Sequence, residues 1–108
     1  MKNYKIFWTH NATIDLEEII EYIFQDRQTV AIKIYNDIKH NCKKLKTQPK
    51  RNRIVPELQN IGINNYREII YKTYRIIYKL DEKEIYIIAV VDSRRDFETF
   101  IFNRLIRK

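Results

Sequence analysis

The chain is poor in the residues that break or staple a fold. One Gly and two Pro among 108 residues leave no room for a flexible linker or a low-complexity tract, and no repeat period is present. A single cysteine excludes an internal disulfide and any multi-cysteine metal site. Cys42 sits in a helical pattern and reads as a small core residue. His10 and His40 have no partner at ligand spacing, so neither a metal nor a cofactor is expected. No apolar run approaches the ~20 residues that span a bilayer. The start "MKNYKIFWTH" lacks the apolar core of a signal peptide, which places the chain in the cytoplasm with no membrane partner. What is present fits one small domain over residues 1–108, 44% hydrophobic, with apolar residues enough for a single core.

Charge is plentiful but uneven. The formal net charge is +7. From Met1 to Cys42 there are 5 Lys and Arg against 6 Asp and Glu, and from Lys43 onward 16 against 8. The whole basic excess therefore lies in the second part, which points to an anionic partner, either nucleic acid or an acidic protein segment. A solubilising surface is the plainer explanation of the same charge.

The hydrophobic periodicity gives the elements. "YKIFWTH" alternates as a strand does. Asn11 or Thr13 can cap a first helix running to about Phe24. Asp15, Glu17 and Glu18 suit its positive end, and Ala12, Leu16, Ile19, Ile20 and Ile23 form its apolar stripe. Thr29 is the candidate cap of a second helix, on which Ala31, Ile34, Tyr35, Ile38, Cys42 and Leu45 recur at helical spacing up to Pro49. Residues 50–65 read as an irregular connector. Strands resume at Tyr66 with the hairpin "YREIIYKTYRIIYKL", then a polar turn at "LDEKE" and the central strand "IYIIAVV". Phe97, Phe100, Ile101 and Leu105 predict a short helix between Arg95 and Lys108. The order βααβββα predicts an α+β domain with the helical hairpin on one face of a mostly antiparallel four-stranded sheet.

Arginine is rarely buried without a partner, so Arg67 and Arg75, one on each strand of the hairpin, should meet a carboxylate or face something outside the chain. A two-residue loop at Lys72-Thr73 sets them on opposite faces, and a three-residue loop sets them on one. Lys-Thr lacks the Gly or Asn that a two-residue loop prefers, which favours the longer loop. Arg67, Arg75 and Lys79 would then line the face the helices leave open. Arg94 and Arg95 would stand at its end, the connector's Lys50, Arg51 and Arg53 nearby, and Tyr66, Tyr71 or Phe100 along its edge. Guanidinium forks suit phosphate and carboxylate alike.

The opening "ATIDLEEIIEYI", the connector "RIVPELQ", the hairpin, the strand end "VVDSRRDF" and the order of elements together resemble the RelE/ParE superfamily of bacterial type II toxins, over nearly the whole chain. The resemblance implies a growth-arresting toxin neutralised by a cognate antitoxin in a toxin–antitoxin hetero-oligomer. It also implies one of two activities. RelE-like relatives are metal-independent endoribonucleases (mRNA interferases) that cut messenger RNA on the ribosome with basic residues and sometimes a glutamate. ParE-like relatives poison DNA gyrase and are not known to use catalytic residues.

Under the nuclease resemblance Arg75, Arg94 and Glu57 would be catalytic. Under either, Arg67, Arg75, Arg94, Arg95 and Phe100 would bind target or phosphate. Ile69 stands where RelE-like enzymes carry a lysine, Phe100 where they carry a tyrosine, and Asp92 where other branches often carry a histidine. A phenylalanine can stack on a base but cannot move a proton. These departures, with the long helical hairpin, favour the ParE branch.

Each residue also has a structural reading. Arg67 with Glu68 and Asp92, or Arg95 with Asp96, would be surface ion pairs of small worth. Glu57 would cap a turn or pair with Arg53. Trp8 would anchor the core, and Lys43, Lys44 and Lys46 would complement a helix dipole. A non-toxic nucleic-acid-binding module using the basic sheet as a platform is the third functional class.

Overall fold

The computed structural model describes residues 3–106, so the expected helix end at Lys108 lies outside the described residues. Its elements are β1 (Lys5–Trp8), α1 (His10–Phe24), α2 (Gln28–Lys43) continued by a 3-10 turn at Lys44–Lys46, α3 (Pro56–Gln59), β2 (Tyr66–Tyr71), β3 (Tyr74–Asp81), β4 (Glu84–Asp92) and α4 (Phe97–Ile106). The sheet order is β1-β4-β3-β2, with β1 parallel to β4 and the other pairs antiparallel. This is the expected α+β fold, with α3 an added turn inside the connector. No described helix is long and apolar enough to cross a membrane.

Two helix starts differ from expectation. Thr9 caps α1, accepting from the Ala12 N–H while its hydroxyl donates to the Ile87 carbonyl, so the cap that begins the helix also ties it to the sheet. Asn11 and Thr13 lie inside the first turn, and Asp15, Glu17 and Glu18 lie beyond it. α2 begins at Gln28 without a side-chain cap, and Thr29 is already helical.

Both sheet faces are covered. Ala12, Leu16, Ile34, Ile38 and Cys42 of the helical hairpin pack on Ile69, Ile76, Tyr78, Ile85 and Ile87. On the other face, which the sequence left open, Val55 and Leu58 from the connector and Phe97 and Ile101 of α4 pack on Ile77, Ala89 and Val91. That second layer explains why β3 and β4 are apolar on both sides. Burying each such isoleucine contributes about 1.5–3 kcal/mol.

The hairpin loops are both of two residues, Lys72-Thr73 and Glu82-Lys83. Lys72 and Glu82 each take φ 53°, a left-handed conformation that costs a side-chain-bearing residue about 1–2 kcal/mol. The expected three-residue loop is therefore wrong. Tyr71 pairs with Tyr74, Arg67 with Tyr78 and Ile70 with Arg75, so Arg67 and Arg75 fall on opposite faces.

β4 carries one extra residue, because Tyr78 pairs with Ile87 but Ile77 with Ala89. Beside this bulge β1 has already ended at Trp8, and side chains take over its role. Asp15 of α1 accepts from the Val90 N–H at 3.0 Å, and Arg104 of α4 donates to the Ile88 carbonyl at 2.7 Å. Arg104 also grips Asp15 through both terminal nitrogens, at 2.7 and 2.9 Å.

Candidate functional site

The predicted arginines do not form one surface. Arg75 points into the layer between the sheet and α3–α4, where only 7% of it is exposed. Its Nε donates to Glu68 at 2.6 Å, and its terminal nitrogens donate to Glu57 at 3.1 and 2.8 Å. The guanidinium lies 3.6 Å from the centre of the Phe97 ring. Glu68 is fully buried and is also bound by Arg53 at 2.7 Å. The result is a four-residue chain, Arg53–Glu68–Arg75–Glu57, built from the connector, both strands of the hairpin and α3.

Its electrostatics follow from these contacts. Burial would lower the Arg75 pKa, but hydrogen bonds to Glu57 and Glu68 outweigh it and hold the guanidinium above its ordinary value. Hydrogen bonds from Arg75 hold Glu57 below the usual carboxylate range, against partial burial. A depressed carboxylate is a poor general base, since an effective one is tuned upward toward neutrality. Arg75 has donors on all three nitrogens already engaged.

Arg67 lies on the other face. It donates to the carbonyls of Asn52 at 2.6 Å and Lys50 at 3.4 Å, beside Tyr78, whose hydroxyl donates to Pro49 at 2.6 Å. These two side chains brace the loop that leaves α2. Neither the expected Arg67–Glu68 nor the Glu57–Arg53 pairing is formed, because Glu68 and Glu57 face Arg75 instead. Arg51 bonds Gln48, and Lys79 lines a cavity of about 380 Å³ with Tyr66, Asp81, Tyr86 and Arg104. Lys79 thus shares a face with Arg75 but not its network.

Two exposed arginines stand together at the β4–α4 corner. Arg94, its side chain 75% exposed, binds Asp92 through Nε at 2.9 Å and a terminal nitrogen at 2.5 Å. Those bonds pull Asp92 down to about 2 and keep Arg94 above its ordinary value. Arg95 is exposed and makes no ion pair among the described residues; Asp96 instead binds Thr99. The half-buried Phe100 ring is approached by the guanidiniums of Arg95, at 5.0 Å, and Arg104, at 4.9 Å. Arg95 borders two grooves, one shared with Phe100 and Arg104 and one with Tyr22, Asp92 and Arg94.

The remaining candidates are structural. Trp8 packs on the core with the Lys39 ammonium 4.3 Å from its ring. Burial pushes the Cys42 thiol up to about 12, which leaves it unreactive. Among the described residues no cluster of His, Cys, Asp and Glu could hold a metal ion.

Comparison with known proteins agrees with this fold. A family model, the ParE toxin of the type II toxin–antitoxin system parDE, matches residues 6–97. The chain belongs to the ParE toxin family. No curated protein sequence matches it. Among solved structures, it is similar to a chain of the chromosomal ParDE toxin–antitoxin system from P. aeruginosa. That match has a TM-score of 0.68 and 20% identity and covers 82% of this chain and 95% of the other. It is also similar to a chain of the RelBE2 toxin–antitoxin complex from Mycobacterium tuberculosis, with a TM-score of 0.57, 17% identity, and 85% and 93% coverage. At such identities the likeness is one of fold.

For this ParE-family chain, sequence reasoning missed Glu68, Phe97, Asp15 and Arg104 as the partners that organise the site. Glu68 was findable. Once the loop has two residues, Glu68 and Arg75 are diagonal neighbours on one face, the spacing at which opposite charges meet across strands. Asp15 and Arg104, 89 residues apart, left no local signal.

Proposed function

We propose that the chain is the toxin of a type II pair, neutralised by a cognate antitoxin in a hetero-oligomer, and that it arrests growth in the cytoplasm by poisoning DNA gyrase. Family membership supports the toxin part. The choice of target is supported by the engagement of Arg75. A nuclease built on this fold would need Arg75 to meet the scissile phosphate and Glu57 to take a proton from a ribose hydroxyl. Here each is the other's partner, Arg75 engaged at all three nitrogens and Glu57 depressed. ParE-like action, as the resemblance implies, needs no catalytic residue. It needs a surface, and the exposed Arg94 and Arg95, with the Phe100 ring beside Arg95, offer planar cations next to an aromatic face.

Cleavage of messenger RNA on the ribosome is the second reading, favoured by the presence of Arg75, Arg94 and Glu57 together. It requires Glu57 to swing away and release Arg75. Expression of the chain in bacteria separates the two. Gyrase trapped on broken DNA is the expected outcome. Cleaved transcripts on ribosomes with intact DNA would refute gyrase poisoning, and tight binding to free RNA or DNA without growth arrest would refute the toxin reading altogether.

A further inference from the structure

Lys79 stands in a row that crosses the whole sheet. In the strand register it is opposite Tyr66 of β2 on one side and Tyr86 of β4 on the other, and Tyr86 is in turn opposite Phe7 of β1. Residues directly opposite share a face, so the lysine has a tyrosine on either hand. The apolar layer under α3 and α4 takes in Ile77, Ala89 and Val91 on this same face, and its margin runs through the half-buried Tyr66, Ile88 and Leu105. The cavity of about 380 Å³ lies at that margin. Its size falls at the lower end of small-molecule sites, which span about 300–1,000 Å³.

The walls are held in place by their own contacts. Tyr86 stacks on Phe7 with ring centres 5.4 Å apart, and its hydroxyl donates to Glu84 at 2.7 Å. Arg104 brings the last turn of α4 against the cavity through its bonds to Asp15 and the Ile88 carbonyl. A site formed before its ligand arrives loses little freedom on binding. The charges of the lining then decide what fits. Arg104 already has its carboxylate in Asp15. Lys79 and Asp81, two residues apart and therefore on one face of β3, are in no ion pair among the described residues. One cation and one anion are thus left beside two aromatic rings. A ligand of single charge would be repelled by one of them, whereas a zwitterion meets both.

We propose that this cavity binds an aromatic α-amino acid, its ring against Tyr66, Tyr86 and Leu105, its carboxylate on Lys79 and its ammonium on Asp81. Ring burial and stacking give the affinity, and the two charges select the zwitterion. The site stands at the opposite end of β4 from Arg94 and Arg95, and it does not rest on the toxin reading.

L-Tryptophan titrated into the full chain, followed by residue-resolved NMR shifts, tests this. Two analogues are run beside it: indolepropionate, which lacks the ammonium, and tryptamine, which lacks the carboxylate. Tryptophan should shift the signals of Tyr66, Lys79, Tyr86 and Leu105 with a dissociation constant of about 1 mM or below, and each analogue should bind at least about tenfold more weakly. Lys79→Met and Asp81→Asn should each weaken tryptophan about tenfold, while Lys79→Met leaves tryptamine unchanged because that ligand has no carboxylate to lose. No shift at these residues in about 10 mM tryptophan would overturn the proposal, as would analogues that bind as tightly as tryptophan. Undiminished binding in both variants would do the same. The analogue arms use the native chain, so they decide the matter even where a variant fails to fold.

Discussion

Removal of Arg75 should cost the fold several of the bonds that hold its interior charge network together. The Arg75→Ala change deletes three charged hydrogen bonds and the contact with Phe97. Glu57, whose side chain is 28% exposed, can turn to water and recover much of its loss. Glu68 cannot, since its side chain has no exposure and its remaining partner, Arg53, is 59% exposed. Breaking a buried pair by removing one partner typically costs about 3–5 kcal/mol, because the other charge is left behind. For 108 residues, an unfolding entropy of about 2.1 cal/mol/K per residue makes 1 kcal/mol worth about 4 °C, so the melting temperature should fall by roughly 12–20 °C. Urea and thermal unfolding at neutral pH measure this. Adding Glu68→Leu to the Arg75→Ala chain should restore part of the loss, since the stranded carboxylate is then gone. A loss below about 1 kcal/mol, or no recovery in the double variant, would refute the reasoning. It follows that Arg75→Ala is not a neutral probe of toxicity, and that any such result has to be read against the folded fraction.

Three other outcomes are expected. Arg104→Ala should raise amide exchange throughout α4 while leaving β2 and β3 protected, and uniform loss of protection across the sheet would contradict the local role of the Asp15 clip. Glu57 and Asp92 are both held below their ordinary pKa in the folded state, so the unfolded chain binds more protons in acid. Their stabilisation is complete above about pH 4–5 and is lost as pH falls toward the folded value of about 2 at Asp92; flat stability across that window would sink the assignment. The Arg94→Glu/Arg95→Glu chain should lose toxicity while remaining folded at the growth temperature, because both side chains are exposed, and full toxicity in that variant would remove the corner as the target surface.

Element types were legible in the sequence because periodicity reports burial, and burial is what holds these elements. The strands from Tyr66 onward and the helical stripe of α1 came through for that reason. Register was not legible. It depended on Lys72 taking a positive φ, and lysine carries none of the signal that Gly or Asn would give. That one loop sent Arg67 to the face opposite Arg75, while the layer of α3 and α4 over the other face turned Arg75 from a platform residue into part of an interior network. The cap of α1 was misplaced for a related reason: Thr9 is chosen by its second bond, to Ile87, which lies 78 residues away. Arg94 and Arg95 stand at the strand end, with Phe100 beside Arg95, because they are close in sequence and α4 follows the strand end directly.

The short length of β1 reaches further than the sheet edge. Because it stops at Trp8, the backbone of β4 at Ile88 and Val90 is finished by side chains from two helices on opposite sides of the sheet. α4 is therefore pinned at both ends, by Phe97 in its first turn and by Arg104 in its last. Its release would bare a carboxylate, a carbonyl and the Phe97 ring in a single event, so the C-terminal segment should behave as a docked or undocked unit, with few half-attached states in between.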